Sequence, residues 1–120
     1  MAKLTKKQLR ERRHKRLRKT IMGTAVCPRM SVFVSNMHMY IQFIDDDAEK
    51  TLAAASTLSP EFKEGGHKSD VKGAEVLGTM AAEKAKTAGI SKVVFDRGGF
   101  TYHGKIKTIA ESARKNGLKF

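Results

Sequence analysis

The sequence predicts a single α/β (α+β) domain, a mixed four-stranded sheet in the order β-β-β-α-β-α with helices packed on it, preceded by a basic N-terminal arm. Three observations carry that expectation. From Met30 to Ile44 side chains alternate with the two-residue period of strands, and from Ala74 to Ala88 small apolar residues recur at the three- and four-residue spacing of a helix. Charge, meanwhile, is crowded into one end: ten Lys and Arg lie in residues 1–20 against Glu11 alone, net +9. A chain of 120 residues can bury one real core but hardly two.

The arm is taken as residues 1–24 and the folded domain as 25–120. In "KLTKKQLRERRHKRLRKTIMG" good helix formers surround sparse apolar points at Leu9, Leu17 and Ile21. So little apolar surface cannot offset the self-repulsion of the charges, so the segment is expected to be disordered or fraying alone and helical on a polyanion. A solvated face of a structured helix is the alternative, and such faces usually mix both signs.

After Pro28, Met30, Val32 and Val34 alternate with Ser31, Phe33 and Ser35, "SNMH" turns, and Met39, Ile41 and Phe43 alternate with Tyr40, Gln42 and Ile44. "DDDAEK" makes a second turn before "TLAAAST", completing an antiparallel meander. Residues 59–70 read as loop, with Pro60 and Gly65-Gly66 as breakers. A helix capped by Ser69 or Asp70 follows, with Ala74, Leu77, Gly78, Ala81, Ala85 and Ala88 on one stripe and Gly89 as its stop. Gly73 and Gly78 each cost about 1 kcal/mol of helix propensity, which close packing on the sheet would offset. "ISKVVFD" has the look of a strand buried on both faces, parallel to an earlier one because a helix precedes it. The last helix starts near Gly104, carries Ile106, Ile109, Ala110 and Ala113 on one side, and ends at Asn116-Gly117.

Several chemistries are disfavoured. Cys27 is the single cysteine, which rules out an intrachain disulfide or cysteine-based zinc site and fits a reducing, intracellular setting. It lies near Arg29 but nothing marks a base, so it reads as inert. No secretory core and no apolar run approaching a membrane span is visible. His14, His38, His67 and His103 are too scattered for a metal centre. Asp45, Asp46, Asp47 and Asp96 would serve metal-dependent phosphoryl transfer only if they converged. Consecutive aspartates alternate faces, and Asp96 meets Asp45 only if the fourth strand lies beside the second. No catalytic residue, metal, cofactor or small-molecule substrate is expected.

The net charge of +12 instead predicts a polyanionic partner. "FDRGGFTYHGKIK" joins strand to helix, where backbone N–H groups are open to anions. Arg97, Lys105 and Lys107 neutralise phosphates in this reading, Phe100 and Tyr102 offer stacking faces, and Gly98-Gly99 permits close approach. The spacing is that of neither a P-loop nor a dinucleotide fingerprint. Alternatives stay open at each point: the aromatics as core residues, His103 as a phosphate donor or a structural histidine, and the hairpin residues Ser35, Asn36, His38, Tyr40 and Gln42 as nucleic-acid contacts or an ordinary wet sheet face. A metal-dependent nuclease and an arm-only nucleic-acid chaperone are the rival functions.

Taken in order behind a basic arm, "PRMSVFVSNMHMYIQFIDDD", "TLAAAST", "KVVFDRGGFTYHGKIK" and "AESARKNGLKF" resemble the bacterial-type large-subunit ribosomal protein L18 family over essentially the whole chain. The resemblance implies a non-enzymatic protein of the cytoplasmic bacterial ribosome, or of an organellar one. Its implied partners are 5S rRNA, the large-subunit rRNA in the central protuberance and neighbouring large-subunit proteins. It also implies RNA contacts from Lys3, Lys6, Lys7, Arg10, Arg12, Arg13, His14, Lys15, Arg16, Arg18 and Lys19 in the arm. Ser35, Asn36 and His38 match the family's hairpin, and Arg97, Gly98, Gly99, Tyr102, His103, Gly104 and Lys105 its RNA-facing loop; Arg29, Tyr40, Phe100 and Lys107 join them as candidate contacts from their residue type and position. Val34 and Met37 stand where many relatives carry Arg and Lys, removing two expected phosphate contacts.

Overall fold

A computed structural model of the chain describes residues 3–35, 37–66 and 69–120. Helix α1 spans Lys6–Arg18, strands β1, β2 and β3 span Arg29–Val34, Met39–Asp45 and Lys50–Ser56, and short helix α2 spans Pro60–Glu64. Helix α3 (Val71–Thr87), strand β4 (Val94–Asp96) and helix α4 (Lys105–Lys115) complete the order. The sheet runs β3-β2-β1-β4; the first three strands are antiparallel neighbours, and β4 joins β1 in parallel, as a strand reached through a helix should.

Alternation in the hairpin decides which face is core. Met30, Val32, Met39, Ile41 and Phe43 are all at most 1% exposed and meet Leu77, Ala81 and Ile109 from the helical layer. Asp70 caps α3 by accepting from the Gly73 N–H at 2.8 Å. Gly78 is the close-approach point of α3, but toward α4 rather than the sheet: a Cβ there would lie 2.8 Å from the Ile109 carbonyl oxygen and 2.8 Å from Ser112 Cβ. Ala88, placed on the stripe by its spacing, is the exposed C-cap.

Two local expectations are corrected. Within residues 59–70, Pro60–Glu64 is a short helix, because Pro60 suits its first turn and Phe62, 2% exposed, anchors it in the core; His67 and Lys68 lie outside the described residues. The fourth strand is a three-residue edge strand, with Val94 and Phe95 half-buried and Asp96 alone fully buried. Its apolar run continues instead into a side cluster where Phe95 stacks on Phe120 at 5.3 Å between ring centroids.

Candidate nucleic-acid interface

The sheet face turned away from α3 and α4 is the place to look. The even-numbered residues of β1 enter the core, so Ser31 and Phe33 emerge on the other side beside their β2 partners Gln42 and Tyr40. Phe33, 47% exposed, lies 6.1 Å from Tyr40 and 5.8 Å edge-on from Phe100, forming an open aromatic row. Ser35 and His38 fix the turn beside it: the Ser35 N–H donates to the His38 carbonyl at 2.8 Å, and the His38 N–H donates back to Ser35 Oγ at 3.1 Å. Asn36 lies outside the described residues.

Helix α1 crosses one flank of this face. Thr5 and Gln8 form a reciprocal capping box at its start. The helix has no fully buried residue; what docks it is a stripe of Arg10, Arg13, His14 and Leu17, polar but for the last. The Arg10 guanidinium lies 4.6 Å from the Phe100 centroid and 5.8 Å from that of Phe33. Arg13 Nε donates to the Gly99 carbonyl at 2.8 Å, and His14 Nε2 meets Asp96 Oδ2 at 2.9 Å. The segment expected to be disordered alone, or helical on RNA, is thus a helix seated on the domain by hydrogen bonds and stacking rather than by apolar burial. Gly23 is also inside the folded body, since its N–H donates to Asp46 Oδ2 at 2.7 Å and a Cβ there would overlap the Arg29 backbone.

The glycines of the junction answer to this docking. Gly98 has φ +64° and packs so close that a Cβ would sit 2.6 Å from the Val32 carbonyl oxygen. Gly99 has φ +80°, and a Cβ there would overlap the Arg10 carbonyl oxygen of α1. The space these residues leave is filled by protein.

Beneath α1 lies a charge clamp that sequence reasoning missed. Arg29, 5% exposed, sends Nε and Nη2 to the two oxygens of Asp46 at 3.0 and 3.1 Å and Nη1 to Asp96 Oδ2 at 2.7 Å. The Gly98 N–H donates to Asp96 Oδ1 at 2.8 Å. Burial pushes the Asp96 carboxyl up, but bonds from His14, Gly98 and Arg29 together hold it below the usual carboxylate range. Asp46 is lowered chiefly by its hydrogen bonds from Arg29. Burial lowers Arg29 and its two carboxylates raise it, the net being upward. The role of Arg29 here is internal.

What remains for a partner is specific. Lys3, Lys6, Lys7, Arg12, Lys15, Arg16 and Lys19 are exposed, and Arg18 reaches Asp46 only at 3.4 Å. A groove of about 500 Å³ opens between Arg10, Phe33, Val34, Ser35, Phe100 and Lys105. Tyr102, His103 and Gly104 are exposed, Arg97 is half-buried, and Lys107 makes a loose pair with Glu111 at 3.9 Å. Phe33 could have been found in the sequence, because it sits out of phase with the apolar positions of β1.

Asp45 and Asp96 do not converge, and Asp46 and Asp96 meet only through the Arg29 guanidinium between them. Asp45 accepts from the Asp47 and Ala48 N–H groups as a turn cap, and β4 lies beside β1, keeping Asp96 away from it. Among the described residues no three His, Cys, Asp or Glu stand together as metal ligands, and no helix is long and apolar enough to cross a membrane.

The family described as "Ribosomal L18 of archaea, bacteria, mitoch. and chloroplast" matches residues 4–120. The chain belongs to the ribosomal L18 family. Proteins named "Large ribosomal subunit protein uL18" are similar to it over nearly full length: one from Desulforudis audaxviator is 53% identical, covering 98% of each chain. One from Streptococcus suis is 51% identical over all of this chain and 97% of its own. One from Clostridium botulinum is 56% identical over 94% and 93%. The L18 family is one of ribosomal structural proteins, not enzymes.

Proposed function

We propose that this chain is a structural component of the large ribosomal subunit that binds 5S rRNA and helps attach it to the large-subunit rRNA in the central protuberance. It would act in the cytoplasm, or inside an organelle that keeps its own ribosomes. The observation that carries the reading is the aromatic and cationic groove between the hairpin, the 97–105 junction and α1. Phe33 and Tyr40 offer flat faces to unstacked bases, Arg10 lies over Phe100, and Lys105 lines the same groove for phosphates. The outer side of α1, with Arg12, Lys15, Arg16 and Lys19, supplies salt-sensitive affinity through release of condensed counterions. The Asp96 clamp fixes loop and helix relative to each other, so the face meets RNA as a preformed shape.

A binding titration of the intact chain against 5S rRNA and a tRNA of similar size, across a salt series, tests this. The expected result is a preference for 5S rRNA that persists at moderate salt. Equal affinity for both would reduce the protein to a polycation.

A further inference from the structure

An acidic stretch of this basic chain surrounds one strand. Residues 45–64 hold six Asp and Glu against Lys50 and Lys63, net −4 in a protein whose total is +12. Within it, residues 51–56 carry no charge. They belong to β3, an outermost strand of the sheet, paired with β2 on one side only.

The register decides which backbone groups that leaves open. The Thr57 N–H donates to the Met39 carbonyl at 3.1 Å, so positions 53, 55 and 57 turn their backbone groups toward β2. Ala54 and Ser56 therefore point theirs outward. The Ser56 carbonyl accepts from the Ser59 N–H at 3.1 Å and from Ser59 Oγ at 2.8 Å, in the turn that leads into α2. Among the described residues no hydrogen bond from outside the sheet reaches the Ala54 N–H, the Ala54 carbonyl or the Ser56 N–H.

Proteins blunt such an edge with charge, proline or a bulge. Here the bulge falls opposite Phe43 and Ile44, near the start of β3, and leaves the register regular from Ala53 to Ser56. Lys50 stands before the bulge, and neither a charge nor a proline follows until Pro60. Carboxylates stand at both ends of the opening instead. Asp47 and Glu49 lie exposed in the turn before β3; Glu61 and Glu64 lie exposed on α2, which begins at the Ser56–Ser59 turn and sends Phe62 into the core. Among the described residues none of the four has a cation within ion-pair distance; Arg18 goes to Asp46, and Lys84 shares a depression with Glu61 without pairing.

We infer that the β3 edge is a docking site for an extended, cationic segment of a second protein, which adds to the sheet as a fifth strand and sets Lys or Arg side chains against Asp47 and Glu49 at one end and Glu61 and Glu64 at the other. Charge decides the occupant. Four unpaired carboxylates repel an RNA backbone. A second copy pairing through its own β3 brings acidic ends against acidic ends whether the strands run parallel or antiparallel. β3 is also the edge opposite β4 and its junction, so a strand bound there leaves Phe100 and Lys105 open. This docking goes beyond RNA binding and stands whichever RNA the groove takes.

The test titrates the full chain with the synthetic peptide KKVTVTVKK and follows amide exchange by NMR. The expected result is new protection at the Ala54 and Ser56 N–H groups, given neither by EEVTVTVEE nor by KKVPPTVKK, in which one proline must face the edge. Neutralising the ends with D47N, E49Q, E61Q and E64Q together should weaken the cationic peptide about tenfold, as several exposed ion pairs would. A54P removes an outward N–H without touching the ladder to β2 and should abolish protection at Ser56; the proline peptide asks the same question of the unaltered chain if that variant does not fold. Equal affinity for KKVTVTVKK and KKVPPTVKK, or no protection at Ala54 and Ser56, overturns strand addition. Equal affinity for the cationic and acidic peptides overturns the cationic partner. Protection that grows with concentration of the chain alone gives the edge to a second copy, and protection produced by 5S rRNA gives it to RNA; either overturns the inference.

Discussion

Asp96→Asn removes one charge from the clamp while keeping the side chain's shape. Asp96 is wholly buried and accepts three donors: His14 Nε2, Arg29 Nη1 and the Gly98 N–H. An asparagine retains one oxygen for these donors and points an amide at the rest. Removing one member of a buried ion pair costs about 3 to 5 kcal/mol, but Arg29 keeps its two-pronged bond to Asp46, which places the expected loss near the low end, about 3 kcal/mol. For a domain of this size that is a fall in Tm of roughly 10 °C, or a urea midpoint shifted by about 2 M for an m of roughly 1.5 kcal/mol/M. Urea unfolding followed by circular dichroism reads it directly. A loss below about 0.5 kcal/mol with m unchanged, the range of an ordinary surface substitution, would show that the Asp96 charge does not hold the clamp.

Gly99→Ala should free α1 without unfolding the sheet, because the new methyl overlaps the Arg10 carbonyl and the φ of +80° costs about 1 kcal/mol more; amide exchange should quicken across Lys6–Arg18 while β1 and β2 stay protected. Gly78→Ala should cost about 2 kcal/mol by prising α3 from α4, whose Ile109 carbonyl would lie 2.8 Å from the methyl, seen as a lower urea midpoint. Asp46 and Asp96 both titrate below their unfolded value. Their contribution is therefore complete above the ordinary carboxyl range near pH 4 and lost as pH falls through the depressed folded values. Thermal melts between pH 6 and 2 should show a steep fall below about pH 4 that Asp96→Asn makes shallower.

The meander, α3, α4 and the parallel pairing of the fourth strand were legible, because each rests on a strong local signal: the alternation from Met30 to Ile44, the alanine stripe, or a helix preceding a strand. The docking of α1 was not. Its contact stripe is Arg10, Arg13, His14 and Leu17, spaced as a helix face but nearly devoid of apolar residues, so hydropathy hides it. The clamp was hidden for a different reason, since Arg29 reaches Asp96 only once β4 is known to lie beside β1. The edge position of β4 hid in the same way: "KVVF" is apolar enough for a central strand, and half of that apolarity serves the Phe95-Phe120 stack. In the junction, Phe100, Tyr102 and His103 were singled out from residue type alone, and the fold leaves Tyr102 and His103 exposed. Gly98 and Gly99 were singled out for close approach, and what approaches them in the fold is Val32 and α1.

The central claim is a division of labour in which the folded groove supplies selectivity and the outward cations of α1 supply affinity. It is tested most directly by neutralising Arg12, Lys15, Arg16 and Lys19 together to glutamine and measuring affinity for 5S rRNA and tRNA across a salt series. The account predicts that the logarithmic salt slope falls by about 3 for both RNAs, while the ratio of the two affinities stays that of the unaltered chain. A ratio that collapses to one would place selectivity in the arm and contradict the account.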